Sequence, residues 1–369
     1  MERHQALAAV VREIRGDFVV EEVTLDGPRS DELLVRVVGA GICHTDLAAR
    51  DGSLPFSLPA ILGHEGSGVV EAVGASVTGF AVGDPVVLNG AYCGHCPTCL
   101  DGKPVYCPEF PKLSRAGRRA DGSPTVFDAA GEPLFGSFVG QSSFSSLAVV
   151  RAANAIKVSA SAPLELLGPL GCGVMTGAGG VMDTLQPPAG STIAVFGLGG
   201  VGMSAVIAAG LVGCARVIAV DLNRYRLDVA TEVGATDAID ANGDVLAQIQ
   251  RITGGGADYA IDASGVAAVG QLAVESTHGQ GTALLLGAPS AGSQLTVPWS
   301  SLLRGRTIRG AIMGGANPRH FIPRLVDFIA QGKFPLERLV RYFDLGQIAE
   351  AVHALETGEV IKPVVRMPS

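Results

Sequence analysis

The stretch that most restricts the fold of this chain is Ile193-Ala194-Val195-Phe196 running into Gly197-Leu198-Gly199-Gly200-Val201-Gly202. A short apolar run, a glycine-rich turn and then Val201 to Leu211, enough for about three helical turns, read as buried strand, turn and buried helix. Within the G-x-G-x-x-G pattern, Gly197 permits the tight turn, Gly199 lets the backbone approach a pyrophosphate, and Gly202 lets helix and strand pack closely. The phosphates then lie at the helix N-terminus, beside Gly200 and Val201. The following strand ends at Asp221, 19 residues after Gly202. A carboxylate at that place accepts hydrogen bonds from both adenosine ribose hydroxyls and repels a 2′-phosphate, so NAD is expected in preference to NADP. Arg226 either assists there or is a solvated helix residue. Ile193 to Ala215 carries no charge and is long enough to cross a bilayer, but its six glycines favour the strand-turn-helix reading, and no membrane contact is expected.

A length of 369 residues exceeds what one hydrophobic core usually serves, which predicts two folding units. Residues Val19 to Val150 carry valine-rich runs bounded by glycine, at Leu33 to Val38, Gly68 to Val73, Pro85 to Leu88 and Phe144 to Val150, the pattern of an all-β unit. From about Ala162 helices and strands alternate. Strand candidates fall at Ile193 to Phe196, Arg216 to Val220, Tyr259 to Ala263, Thr282 to Leu286 and Thr307 to Ile312, implying a parallel, doubly wound α/β sheet. After Gly314 come an amphipathic segment, Ile322 to Ile329, the region around Phe343 to Leu345, and a last strand at Lys362 to Arg366, a tail expected to return to the first unit. The expected division is 1–173 with 313–369 for the first unit and 174–312 for the second. Pro108 to Pro133 is polar and reads as a surface excursion.

The net charge of −8, from 27 Lys plus Arg against 35 Asp plus Glu with no basic cluster, offers no footprint for nucleic acid and fits a small-molecule partner better. The first sixteen residues lack a continuous apolar core, so a cytoplasmic location is expected. Six of the seven cysteines fall into two groupings, leaving Cys214 as a small core residue. Cys93, Cys96, Cys99 and Cys107 form C-x2-C-x2-C-x7-C. Four thiolates complete a tetrahedral Zn²⁺ and leave no open position, the signature of a structural site. His95, inside the loop, is a rival ligand that the four cysteines make unnecessary. Cys43, His64 and Cys172 are scattered, and each alone is better read as a core residue. Each sits in a glycine-flanked setting, Gly41-Ile42-Cys43-His44-Thr45-Asp46, Gly63-His64-Glu65-Gly66 and Gly171-Cys172-Gly173.

Taken together these motifs resemble the zinc-dependent medium-chain alcohol dehydrogenases, over nearly the whole chain from Gly41 to Arg366. Gly140-Gln141-Ser142-Ser143-Phe144, Leu164 to Gly173 and Thr176-Gly177-Ala178-Gly179 are most similar to the benzyl- and aryl-alcohol dehydrogenases, and dehydrogenases of allylic terpenoid alcohols are alike in these segments. The resemblance implies a GroES-like β-barrel catalytic domain, a Rossmann domain and an active site in a cleft. It also implies two Zn²⁺ per chain, one catalytic on Cys43, His64 and Cys172 and one structural, with NAD as cofactor and a homodimer or homotetramer as the assembly.

That family's chemistry assigns roles to further positions. A cation on the three scattered ligands polarises an alcohol oxygen so that hydride can pass to the nicotinamide, giving the aldehyde. Thr45 takes the alcohol proton and passes it on. Asp46 orients His64 through its other ring nitrogen, and Glu65 approaches the metal during ligand exchange. His44 and Arg366 match basic residues that contact the pyrophosphate, and Thr176 belongs to the cofactor-binding set. Asn89 and Ile312 match positions lining the substrate cleft. One departure stands out: many members end their proton relay on a histidine five residues after the first zinc cysteine, and here that residue is Ala48, so water or His44 must substitute. A zinc-free quinone reductase is disfavoured by the cysteines, a sugar-alcohol dehydrogenase by the apolar and aryl-type segments, and a non-enzymatic zinc module by the glycine turn and Asp221.

Overall fold

The protein is described by a computed structural model covering residues 3–368. It forms two compact units. One comprises the chain up to Cys172 together with Asn317–Ala330 and the stretch from Val340 onward; the other comprises Gly173–Ala316 and Gln331–Leu339. The tail is thus divided more finely than the sequence reading has it, because 313–316 and 331–339 stay with the second unit. The reason is local packing. The Gly314 carbonyl accepts a hydrogen bond from Thr184 Oγ1 at 2.8 Å, a Cβ on Gly314 would meet the Met175 and Thr176 carbonyls, and Arg338 pairs with Glu232.

The first unit holds two sheets. Strand Glu32–Gly41 is the hub of the larger one, pairing antiparallel with Gly66–Val73, Leu147–Arg151 and Lys362–Arg366. Its residues are buried almost without interruption, which is why it reads as an apolar run and not as an alternating one. Two register shifts, after Leu34 and after Val37, bend it against its 66–73 partner. The smaller sheet runs Ala60–Ile61, Arg3–Val11, Val19–Asp26, Val126–Asp128, Pro133–Leu134. The core of this unit includes Phe138, Phe144, Leu33, Leu34, Ile42 and Leu62, all essentially inaccessible, each contributing about 1.5–3 kcal/mol by burial.

Segment 108–133 departs from its reading as a surface excursion. Val126–Asp128 pairs with Val19–Asp26, and Arg119 is buried, donating from Nε to Glu32 Oε1 at 2.9 Å and from Nη1 to Asp26 at 3.3 Å. Charged residues mark a surface only when they lack an internal counter-ion, and Arg119 has two. The strand at Arg3–Val11 was masked in the sequence by its polar first half and its alanines.

The second unit is a six-stranded parallel sheet ordered Asp237–Asp240, Arg216–Asp221, Thr192–Phe196, Ala257–Asp262, Thr277–Leu285, Thr307–Gly310. In chain order this is 3-2-1-4-5-6, the Rossmann arrangement. The expected strands are present with ends shifted by a few residues. The 307 strand stops at Gly310, and Asp237–Asp240, which buries only Ile239, escaped the sequence reading. Helix Gly200–Leu211 is buried from Gly202 through Ala209. That depth needs small residues at two contacts: a Cβ on Gly202 would stand 1.9 Å from the Gly197 carbonyl oxygen, and one on Gly177 1.9 Å from that of Val201. No single helix among the described residues is long and apolar enough to cross a membrane.

Candidate active site and metal centres

Cys43 stands at the N-cap of helix His44–Arg50, directly beyond the hub strand. Three residues on, Asp46 is fully buried and spends its carboxylate on three donors. Oδ2 accepts from Cys43 N at 2.9 Å, and Oδ1 from Gly63 N at 3.1 Å and from His64 Nδ1 at 2.8 Å. A carboxylate only accepts, so His64 carries its proton on Nδ1 and leaves a lone pair on Nε2. Nε2 is buried and makes no hydrogen bond.

Cys172 arrives from the far side on the turn that ends Gly168–Gly171. Its approach depends on glycines: a Cβ at Gly171 would stand 2.1 Å from the Leu88 carbonyl oxygen, and one at Gly168 2.2 Å from that of Glu65. Asn89 Nδ2 donates to the Gly171 carbonyl at 2.7 Å. Asn89 thus braces the Cys172 turn from the interior, where its side chain is buried, and does not line a substrate surface as the resemblance suggested.

The ligand atoms of Cys43, His64, Glu65 and Cys172 lie within 4.8 Å of one another. Their proton affinities reflect that crowding. The hydrogen bond with Cys172 holds the Cys43 thiol well below its ordinary value, against burial. Cys172 is pushed well up by that same bond and by burial. Burial disfavours a charged His64, but the Asp46 carboxylate outweighs it and raises the ring. Burial lifts Glu65 to about 7, opposed by Lys362. Lys362, read from sequence only as the start of the last strand, is not among the expected site residues. Its ammonium is buried 2.9 and 3.1 Å from the two Glu65 oxygens and 3.1 Å from the Ile42 carbonyl. A single lysine inside Val360-Ile361-Lys362-Pro363-Val364-Val365 was the available signal, since a charge in a buried strand requires a buried partner.

A divalent cation fits this donor set. The two thiols and an imidazole lone pair with no other use offer three ligands and leave a position open, the composition of a catalytic zinc site, while the Glu65 carboxylate stands at the edge, tethered by Lys362. The other four cysteines fit a closed site. Cys93 and Cys99 Sγ, and Cys96 and Cys107 Sγ, are each 3.9 Å apart. That is far beyond a disulfide and close to the edge of about 3.8 Å of a tetrahedron with Zn–S bonds of about 2.3 Å. His95 is exposed, its Nδ1 beside the Cys93 carbonyl.

Thr45 Oγ1 lies 3.9 Å from Cys43 Sγ. His44 is exposed on the same helix, and Ala48 brings no titratable group to it. The rings of Phe138 and His64 meet edge to face at 5.8 Å, and Phe56 packs on Phe138 at 4.9 Å, buried aromatic packing behind the ligand histidine that the sequence reading did not include. Arg366 is not directed at this group: it bonds to Asp344 at 3.0 Å, with the Tyr342 ring 5.7 Å away. In the second unit Asp221 ties the glycine turn down, accepting from Leu198 N at 2.6 Å and Asn223 N at 2.8 Å, with Arg226 at 3.9 Å. A Cβ at Gly199 would meet nothing within 4 Å, and the helix that follows has no side-chain cap on its first amides, a cradle that suits a phosphate. Thr176 is buried on helix Gly173–Gly179, and Ile312 is half-exposed.

Residues 29–160 match the alcohol dehydrogenase GroES-like domain family and residues 200–331 the zinc-binding dehydrogenase family. The chain is a zinc-dependent medium-chain alcohol dehydrogenase. It is 46% identical over 364 residues to geraniol dehydrogenase of Castellaniella defragrans, covering 98% of this chain and 97% of that one. Among solved structures it is similar to an alcohol dehydrogenase zinc-binding domain protein from Burkholderia ambifaria, at 48% identity and a TM-score of 0.98 with full coverage of both chains. It is also similar to benzyl alcohol dehydrogenase from Acinetobacter calcoaceticus, at 38% identity and a TM-score of 0.96, covering 99% and 100%. Zinc-dependent alcohol dehydrogenases with this pair of domains oxidise and reduce small alcohols and their carbonyl products.

Proposed function

We propose that this dehydrogenase oxidises primary aromatic or allylic alcohols to aldehydes with NAD⁺, and runs the reverse reaction, using two zinc ions per chain. The observation that carries the reading is the buried, unpartnered Nε2 of His64 grouped with the Cys43 and Cys172 thiols. Its likeness to a geraniol and a benzyl alcohol dehydrogenase supports the substrate class. Cys43, His64 and Cys172 would hold a Zn²⁺ whose Lewis acidity would ease loss of the alcohol proton, and NAD⁺ would be the hydride acceptor, so that alcohol and NAD⁺ give aldehyde, NADH and a proton overall.

The chain's own residues do the rest. Thr45 takes the hydroxyl proton and relays it. Asp46 fixes the His64 tautomer. Lys362 holds Glu65 at the rim of the ligand set, and Cys93, Cys96, Cys99 and Cys107 clamp the surface loop around the second zinc. Gly197 to Gly202 cradle the pyrophosphate, and Asp221, helped by Arg226, selects the unphosphorylated ribose. His44 and Arg366 stand as candidate pyrophosphate contacts and Thr176 as a cofactor contact, with Arg366 requiring a break from Asp344. With Ala48 unable to carry a proton, release passes through water or His44.

A homo-oligomer is supported by the 307–310 edge strand and by Trp299 and Leu303, 80% and 74% exposed beside it in sequence. A cytoplasmic location suits two clusters of reduced thiols. NADH appearance with benzyl alcohol and geraniol tests the proposal: turnover that needs NAD⁺ and is lost to a chelator is expected, and failure with both alcohols would overturn it.

A further inference from the structure

Gln141 has no role in the scheme above, yet it is buried to 1% exposure and its amide straddles the ligand strand. Its Nε2 donates to the His64 carbonyl at 2.8 Å, and its Oε1 accepts from Gly66 N at 2.9 Å. The two bonds bracket Glu65, so one side chain satisfies the backbone on both sides of the His64-Glu65 pair. Gly66 must lack a side chain for this contact, because a Cβ there would stand 2.7 Å from Ser143 Cβ and 3.0 Å from Gln141 Oε1.

The loop that delivers Gln141 is strained. Ser137, Val139 and Ser142 have φ of 54°, 50° and 57°, and a β-branched residue in the left-handed region is especially unfavourable. The conformation is held by Ser142 Oγ, which donates to the Ile61 carbonyl at 2.6 Å and accepts from Phe138 N at 2.8 Å. Ser143 N and Phe144 N bond the Gly63 and Leu62 carbonyls at 2.9 and 3.1 Å. The same loop therefore sets the Phe138 ring against the His64 imidazole and the Gln141 amide against the His64 and Gly66 backbone.

We propose that Gln141 is a positioning residue for the reaction: by pinning the peptide groups on either side of Glu65 it fixes where His64 Nε2 and the Glu65 carboxylate stand relative to Cys43 and Cys172. The inference rests on the reading of Cys43, His64 and Cys172 as ligands of the catalytic metal. An ordinary core brace would affect only stability. A positioning residue must also change the metal's surroundings, since His64 is displaced when the His64 carbonyl and Gly66 amide lose their partners and seek others.

The test uses full-length protein loaded with Co²⁺, comparing wild type, Gln141→Leu and Val23→Ala, a core truncation in the smaller sheet that serves as a stability control. Visible absorption of the Co²⁺ and its release rate to a chelator are recorded beside the melting temperature. Wild type should release one metal rapidly and one slowly. Gln141→Leu should shift the absorption bands of the fast site, accelerate its release at least tenfold and leave the slow site unchanged, while Val23→Ala lowers the melting temperature and alters neither. A Gln141→Leu protein with wild-type bands and release rates, differing only in melting temperature, would overturn the proposal. Should that variant not fold, Gln141→Glu decides. Its introduced carboxyl can donate to the His64 carbonyl only while protonated, so release should accelerate as pH rises, and a wild-type rate at every pH would overturn the inference. Wild-type protein binding a single Co²⁺ would instead remove the reading on which it rests.

Discussion

Replacing Asp46 with asparagine changes one atom and should cost more than any surface charge on this protein. The Asp46 carboxylate accepts from Cys43 N, Gly63 N and His64 Nδ1 at 2.9, 3.1 and 2.8 Å, and it is inaccessible to water. All three partners are donors, and an amide has only one accepting atom. With its oxygen toward His64 and Gly63, the amide NH2 faces Cys43 N. With its NH2 toward His64, the imidazole proton must move to Nε2, the atom offered to the metal. Either way a charge-assisted bond of about 1.5–3 kcal/mol is lost and a buried donor is left unpaired at about 1–3 kcal/mol, for a total of about 2.5–6 kcal/mol. Loss of the carboxylate behind a ligand histidine should also weaken metal binding about 10–100-fold. Chelator competition and urea unfolding on the same preparation measure both quantities. An Asp46→Asn variant that keeps wild-type metal affinity and stability would refute the assignment of Asp46 as the group that sets the His64 tautomer.

Three other outcomes follow from the same geometry. In metal-free protein Glu65 titrates near 7 instead of 4.5, so between those values the folded chain holds a proton that the unfolded chain has released, and stability falls as pH rises. Lys362→Met should extend that fall to higher pH and cost about 3–5 kcal/mol once Glu65 is ionised; urea unfolding at pH 5 and pH 8 that shows no added pH dependence would contradict it. Cys172→Ser should abolish turnover with little change in melting temperature, whereas Cys96→Ser should lower the melting temperature first, with metal analysis reporting one zinc lost from each; equal effects would contradict two distinct sites. Asp221→Ser should raise KM for NAD⁺ and relax the preference over NADP⁺, and since Asp221 also holds Leu198 N it should loosen the glycine turn; wild-type enzyme indifferent between the cofactors would refute the role given to Asp221.

The second unit was the more readable part of the chain, because a parallel sheet buried on both faces writes its strands as apolar runs and its turn as glycines at fixed spacing. The four-cysteine loop was equally plain, since all four thiols lie within one short stretch. The ligand group around His64 was visible only by likeness: Cys43, His64 and Cys172 are brought together by sheet pairing and glycine contacts that no local spacing encodes. Lys362 and Gln141 lay further out of reach. Lys362 acts across the hub strand on Glu65 and Gln141 acts from a loop on the His64 and Gly66 backbone, each on residues distant in sequence, and each looks in isolation like an ordinary strand or loop position. Arg119 misled in the opposite sense, because its counter-ions Glu32 and Asp26 are supplied by other strands.

The central claim is that the enzyme favours conjugated alcohols, and the ratio of kcat/KM for benzyl alcohol to that for ethanol, measured with NAD⁺ on zinc-replete enzyme, tests it most directly. Burying a ring in place of a methyl group gains a few kcal/mol, and the conjugated product eases hydride loss, so the ratio should be about a hundredfold or more. A ratio at or below one, with sorbitol or ethanol matching benzyl, cinnamyl and geranyl alcohols, would contradict it.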